Sequence, residues 1–265
     1  MTGSAPLRIG ISGALGRMGQ AVAKLLEETQ GAEVTAAFDQ PGTQGQTAGE
    51  RVLGVMEDAA NCDVVVDFST GEASAALAAF AAARGGPALV IGATVWTPRA
   101  DAQVREAAQK IAIVRSGSFS LGVNIMAGLV EETARRLGAR DWDIEVLEAH
   151  HHRKVDAPSG TALLLGEAAA RGRGVELAKV SARARDGVTG ARREGDIGFA
   201  VLRGGGLVGE HSVMFAAEDE ILTLSHSARD RSLFARGAVQ AALWLRARPP
   251  GLYDMMDVLG FRSPP

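Results

Sequence analysis

Residues 7–19 read Leu7-Arg8-Ile9-Gly10-Ile11-Ser12-Gly13-Ala14-Leu15-Gly16-Arg17-Met18-Gly19. Leu7 to Ser12 is a short apolar run of strand length. Gly13, Gly16 and Gly19 then recur at every third position, and a helix pattern continues through Glu28. Glu33 to Phe38 reads as a second strand, and Asp39 ends it. Strand, glycine turn, helix, strand and acidic residue form the layout that binds a dinucleotide. The glycines let the backbone turn sharply and approach a pyrophosphate. The helix supplies unpaired N–H groups and a partial positive charge at its start. Gly13, Ala14, Leu15, Gly16, Arg17 and Met18 are therefore candidate phosphate-loop residues, and Asp39 is a candidate acceptor for ribose hydroxyls. The spacing is G-x-x-G-x-x-G, not the commoner G-x-G-x-x-G, and a turn that merely packs a helix would read the same. The second strand and Asp39 favour nucleotide binding.

The alternation continues outward. Asp63 to Phe68 is a buried-strand run, followed by a helix over Ala73 to Arg84. Ala88 to Gly92 is a strand, Pro98 to Gln109 a helix, and Ile111 to Arg115 a strand. Nearly continuous apolar strands alternating with helices predict a parallel sheet covered on both faces. Ligands bind such sheets beyond the carboxyl ends of the strands. Here those ends are Phe68-Ser69-Thr70, Gly92-Ala93-Thr94 and Ser116-Gly117-Ser118-Phe119.

The later half changes character. A helix over Leu121 to Leu137 precedes a strand over Asp143 to Ala149. Val180 to Arg185 and a polar loop, Asp186 to Asp196, lie between a second helix and three closely spaced strands. These are Gly198 to Arg203, His211 to Ala216 and Ile221 to Ser227, with a helix over Arg231 to Arg246 after them. Close succession without helical crossovers predicts a largely antiparallel sheet. The expected fold is an α/β Rossmann-type domain with a parallel sheet plus an α+β domain with a mixed, largely antiparallel sheet. Two helices suffice to cover only one face of that second sheet, and an exposed apolar sheet face is usually an interaction site.

Composition bounds the function. The 265 residues are 46% hydrophobic and 22% charged, with 28 basic and 31 acidic side chains and a net charge of −3. That balance does not favour a nucleic-acid partner. The most apolar helical stretch, Ala73 to Ala83, is far shorter than the ~18–20 residues that span a bilayer. Met1 to Pro6 shows no leader pattern, and the single cysteine, Cys62, is compatible with a reducing compartment. A cytoplasmic location is expected.

One segment concentrates chemistry: Glu148-Ala149-His150-His151-His152-Arg153-Lys154-Val155-Asp156-Ala157-Pro158-Ser159-Gly160-Thr161-Ala162-Leu163. It holds proton-carrying side chains and fixed positive charge. Pro158 and Ser159 signal the start of an alanine-rich helix near Thr161, whose amino end favours an anion. Together these suit a small substrate bearing carboxylates. A solvated histidine-rich turn would show the same composition. Adjacent extended residues point to opposite faces, and no cysteine or carboxylate stands at ligand spacing, so no metal is expected. His211 and His226, each alone in a strand, are expected to be structural.

The run Glu148 to Ala162 closely resembles the signature of the 4-hydroxy-tetrahydrodipicolinate reductase (dihydrodipicolinate reductase) family, and the resemblance extends from Ile9 to Leu259. Gly16-Arg17-Met18-Gly19 matches the family's phosphate-loop ending. The resemblance implies that the nicotinamide and its ribose are lined by Gly92, Ala93 and Thr94 and by Ser116, Gly117, Ser118 and Phe119. The family often has Gly-Thr-Thr at the first of these, and Asn where Ser118 stands; contacts made through the backbone survive both changes. It implies His150 as proton donor, Lys154 as a substrate-binding cation and second potential donor, and His151 as substrate-binding. Gly160 and Thr161 would present N–H groups, and the Thr hydroxyl, to one carboxylate. It also implies a chain that returns, so that residues 1–121 and 231–265 form the dinucleotide domain and 122–230 the substrate and oligomerisation domain. The two sites would then face each other across a cleft, in a homotetramer built through the second sheet.

The implied reaction is reduction of a cyclic, unsaturated dicarboxylate by a nicotinamide cofactor. Hydride addition to a conjugated imine leaves an electron-rich enamine that must take up a proton, and a positioned histidine suits that task. Asp39 is followed by Gln40, Pro41 and Gly42, and the next basic residue is Arg51. The acid favours a free ribose 2′-hydroxyl, so NADH is expected to be preferred and NADPH also used, Arg17 compensating in part. Two alternatives stay open: another two-domain dehydrogenase of amino or imino dicarboxylates, and a non-catalytic nucleotide sensor.

Overall fold

The computed structural model describes residues 5–230 and 232–262. The chain begins β1 (Leu7–Ser12), α1 (Arg17–Glu27) and β2 (Ala32–Phe38). A small hairpin, β3 (Thr47–Ala48) and β4 (Arg51–Val52), and a 3-10 turn over Met56–Asn61 follow. Then come β5 (Val64–Asp67), α2 (Gly71–Ala82), β6 (Ala88–Ile91), α3 (Pro98–Ala107), β7 (Ala112–Arg115) and α4 (Leu121–Arg136). After them stand β8 (Asp143–His150), α5 (Gly160–Gly172), the single turn α6 (Leu177–Val180), β9 (Ser181–Ala182), β10 (Ile197–Arg203) and β11 (Glu210–Ala216). The chain closes with β12 (Ile221–Ser227), α7 (Ser232–Leu245), β13 (Gly251–Tyr253) and α8 (Met255–Val258). Backbone proximity divides it into two units, Met1–Leu121 with Ser232–Pro265, and Gly122–Arg231.

The first unit is a parallel sheet in the order β13-β7-β6-β5-β1-β2. Its central strands are apolar on both sides because both sides are covered. Val64 and Val66 join the layer formed with α1 and α7, whereas Val65 joins the opposite layer with α2 and α3. Successive strand residues point to opposite faces, so one short valine run serves two cores. Strand order reverses between β1 and β5, which makes their carboxyl ends the topological switch point.

Leu252 to Leu259 belongs to this unit and contributes most of β13, paired parallel to β7, and α8. Three residues are too few to register as a strand by pattern, and β7 supplies the pairing. The helix expected from Arg231 runs over Ser232–Leu245, and residue 231 lies outside the described residues.

The second unit holds a five-stranded sheet in the order β12-β11-β8-β10-β9. β12, β11 and β8 pair antiparallel, and β8, β10 and β9 pair parallel. The sheet is mixed because α5 acts as a crossover between β8 and β10. Ile144, Val146, Phe199, Val213 and Phe215 bury one face against Met126, Val130, Leu165 and Ala169 of the two helices. Only Ser181 and Ala182 of the stretch Val180 to Arg185 pair as strand. Beyond them Arg185 and Arg192 turn to Glu145, and Arg192 also to Asp143, which ties the polar loop to β8.

Candidate active site

At the switch point of the first unit, Gly13 adopts a left-handed φ of 74°. A Cβ there would lie 2.9 Å from the Phe68 carbonyl oxygen at the end of β5. A Cβ on Gly19 would lie 2.3 Å from the Gly13 carbonyl oxygen, so α1 can seat on the turn only with glycine at that position. α1 starts after Gly16, whose extended backbone offers no side-chain cap, and its first N–H groups point into the turn. Asp39 stands at the end of β2. Its carboxylate accepts from the Leu15 N–H at 2.9 Å and the Gln40 N–H at 2.8 Å, joining the acid to the loop. Ala14 is buried and donates its N–H to the Phe38 carbonyl. Arg17 and Met18 open α1. These residues fit a dinucleotide's pyrophosphate: a cradle that a side chain would fill, an uncapped helix start, and an acid beside both.

The remaining candidates for this site end β6 and β7. Gly92 donates its N–H to the Asp67 carbonyl, and a Cβ there would meet the Phe68 ring. Ala93 is buried and accepts at its carbonyl from the Trp96 indole, while Thr94 is exposed. The Ser116 hydroxyl donates to the Ser118 carbonyl and accepts from its N–H, so it shapes the turn at exposed Gly117. The Phe119 ring turns inward, edge-on to Phe68 at 5.7 Å between centroids. It therefore supports this edge from beneath.

The histidine segment forms a separate constellation in the second unit. Alternation along β8 puts Glu148 and His150 on the helix-facing side of the sheet. His150 Nδ1 lies 2.7 Å from Glu148 Oε2. Arg203, opposite His150 in the β8–β10 register, donates to both Glu148 oxygens at 2.7 and 2.8 Å. The Ser159 N–H donates to Glu148 Oε1 at 2.9 Å. Burial pushes the Glu148 carboxyl up, but hydrogen bonds from Arg203, His150 and Ser159 outweigh it and leave it below its ordinary value.

Ser159 caps α5, accepting at its hydroxyl from the Ala162 N–H at 3.1 Å. His211 Nε2 lies 3.0 Å from the same hydroxyl, and its ring packs edge-on against His150. Gly160 is the first residue of α5 and Thr161 the second, and a Cβ built on Gly160 would meet nothing within 4 Å. The amino end of α5 thus opens on free space beside His150. Lys154 Nζ pairs with Asp156 at 2.8 Å, and that contact holds the Asp156 carboxyl below its ordinary value. The His151 N–H donates to the Leu207 carbonyl, which folds residues 204–209 over the segment. His152 and Arg153 are exposed and lie against each other.

Sequence reasoning assigned no role to Glu148, Arg203 or residues 204–209. Glu148 was legible, since it stands two residues before His150 in a strand. His211, expected to be a lone strand histidine, belongs to this cluster.

Residues 7–119 match the family model described as dihydrodipicolinate reductase, N-terminus, and residues 122–259 the model for its C-terminus. The chain belongs to the dihydrodipicolinate reductase family. A relative from Caulobacter vibrioides, named 4-hydroxy-tetrahydrodipicolinate reductase, is 61% identical over 98% of this chain and 100% of its own. One of the same name from Rhizobium meliloti is 50% identical over 96% and 97%. A solved dihydrodipicolinate reductase from Paenisporosarcina sp. TG-14, with dipicolinate bound, superposes with a TM-score of 0.77 at 22% identity, covering 95% of this chain and 98% of that one. A diaminopimelate dehydrogenase from C. glutamicum shares the fold more distantly, at a TM-score of 0.53 and 14% identity over 99% and 97%. Membership in the dihydrodipicolinate reductase family places the chain among Rossmann-type oxidoreductases.

Proposed function

We propose that the chain reduces 4-hydroxy-tetrahydrodipicolinate, with loss of water, to tetrahydrodipicolinate, using NADH or NADPH, in lysine and diaminopimelate synthesis. The observation that carries this reading is the pairing of a held imidazole with an open helix amino end. His150 and Ser159, the residue that caps the amino end of α5, are joined through one carboxylate, Glu148. Such a pair suits an anionic substrate that must accept a proton. Gly13 to Met18, with Asp39, would hold the cofactor, and residues 92–94 and 116–119 would line its nicotinamide end. When bound, the reduced nicotinamide supplies a hydride.

The chain's own residues do the rest. The N–H groups of Gly160 and Thr161 and the Thr161 hydroxyl bind one substrate carboxylate. Lys154, released from Asp156, and His151 bind the other end of the substrate. His150 delivers a proton from Nε2 to the electron-rich centre left by reduction. We place the reaction in the cytoplasm. Among the described residues no helix is long and apolar enough to cross a membrane, and Cys62 is a buried free thiol.

The direct test follows NADH oxidation with freshly formed synthase product as substrate. NADH oxidation is expected with that compound, and no reduction of NAD⁺ or NADP⁺ with diaminopimelate or aspartate. His150→Gln should lower kcat by roughly 10²–10⁴ while leaving the Kd for NADH nearly unchanged. Full turnover by a folded His150→Gln protein would remove the assigned role.

Asp39 supports a preference for NADH. Its carboxylate stands where a 2′-phosphate would be repelled, and Arg51, the next basic residue, turns instead to Glu27 at the end of α1. The uncovered face of the second sheet supports a homotetramer, because Leu147, Leu202 and Ile221 are exposed on it.

A further inference from the structure

We propose that Glu148 is a positioning residue that fixes the His150 imidazole with its proton on Nδ1 and its working edge at Nε2. This deepens the proposed function and rests on His150 being the proton donor. Glu148 is fully buried at its side chain, and both of its oxygens are engaged. Oε2 receives His150 Nδ1 and Arg203 Nη1; Oε1 receives Arg203 Nη2 and the Ser159 N–H. An ionised carboxylate can only accept. Nδ1 must therefore be the donor, and Nε2 is the nitrogen left to exchange a proton.

Stability alone does not account for this arrangement. A buried ion pair is often no more stabilising than apolar residues of similar volume. What it confers here is geometry. One carboxylate joins the ring that moves the proton to the helix end that would receive the substrate, through the Ser159 N–H. Arg203, opposite His150 in the register, holds that carboxylate in its plane with two parallel bonds.

The surroundings keep the exchanging edge free. A Cβ built on Gly209 would lie 3.2 Å from His150 Nε2, so glycine there leaves that edge uncrowded. His211, edge-on to the same ring, is kept neutral by burial and adds no second cation. After the proton leaves Nε2, the imidazole is neutral and its remaining proton stays on Nδ1 against Glu148. Solvent then restores the proton at Nε2.

Glu148→Gln tests the assignment, because the existing donors dictate which way the amide turns. Two fixed donors, Ser159 N–H and Arg203 Nη2, meet Oε1 and one, Arg203 Nη1, meets Oε2, so the amide oxygen takes the first place and the NH₂ the second. The NH₂ then donates to His150 Nδ1 and selects the opposite neutral tautomer. In full-length Glu148→Gln we expect kcat to fall by about 10²-fold or more, as expected for a misplaced tautomer. KM for the substrate should stay within about threefold. Glu148→Asp, which keeps an acceptor, should recover part of the loss.

The second readout needs no turnover. Nitrogen-15 NMR of labelled histidine should find His150 protonated at Nδ1 in the wild type and at Nε2 in Glu148→Gln. A wild-type ring protonated at Nε2 alone would overturn the proposal even if no variant folded. So would unchanged kcat in Glu148→Gln, or a lost kcat with the tautomer unchanged. A wild-type protein that leaves the synthase product untouched would instead overturn the proposed function, with the NMR result still standing.

Discussion

His211 is a residue whose burial has a measurable consequence. Its ring is 5% exposed, beside Ser159 and His150. Burial, reinforced by His150, His226 and Lys154 and opposed by Glu148, pushes its pKa down to about 4. In the unfolded chain it titrates near 6.5. Between these values the unfolded state binds more protons, so stability rises with pH across that window. Acidifying from pH 7 to 4 should therefore cost on the order of 3 kcal/mol through this residue. Denaturant unfolding at several pH values checks it. His211→Gln should flatten the slope between pH 4 and 6.5, and an unchanged slope would show that the ring is charged in the folded protein.

At the scale of elements, the proposed substrate and cofactor sites lie at the amino ends of α5 and α1. Ser159 caps α5, and replacing it with alanine removes one of the bonds that end the helix cleanly. Ser159→Ala should cost about 1 kcal/mol, a fall in Tm of about 2–4 °C, with a raised KM for substrate. Ser159→Thr should retain both properties. At the other site, β2 delivers Asp39 to the glycine turn, and Gln40 follows it. Gln40→Arg adds a charge-assisted partner for a 2′-phosphate, worth about 1.5–3 kcal/mol. The ratio of kcat/KM for NADPH over NADH should rise about tenfold or more. A wild-type protein that already favours NADPH tenfold would show that a residue distant in sequence binds that phosphate.

At the scale of the whole molecule, the second sheet presents an uncovered side to its surroundings. Its helices bury Ile144, Val146 and Phe215, while Leu202 and Ile221 stand 67% and 65% exposed on the other side. Apolar faces of that kind are usually covered by a partner. Light scattering should give about four times the 27.5 kDa of one chain. Leu202→Glu, which places a charge on β10's open side near its carboxyl end, should lower that mass. A monomeric wild type at micromolar concentration would refute the tetramer.

The amino-acid sequence by itself determined the parts whose partners are chain neighbours. Leu7 to Asp39 reads as strand, turn, helix and strand because the glycine spacing and apolar periods act within a few residues. The cap on α5 is equally local, since Ser159 and Ala162 are three apart. Even the Glu148–His150 pair follows from the two-residue repeat of a strand. Tertiary structure decided what depends on register. Arg203 meets Glu148 across 55 positions, and His211 meets Ser159 across 52. β13 exists as a strand because β7 is there to pair with it. Those contacts depend on which strands lie side by side, and strand order is settled by burial of whole faces, to which a side chain's chain neighbours contribute little.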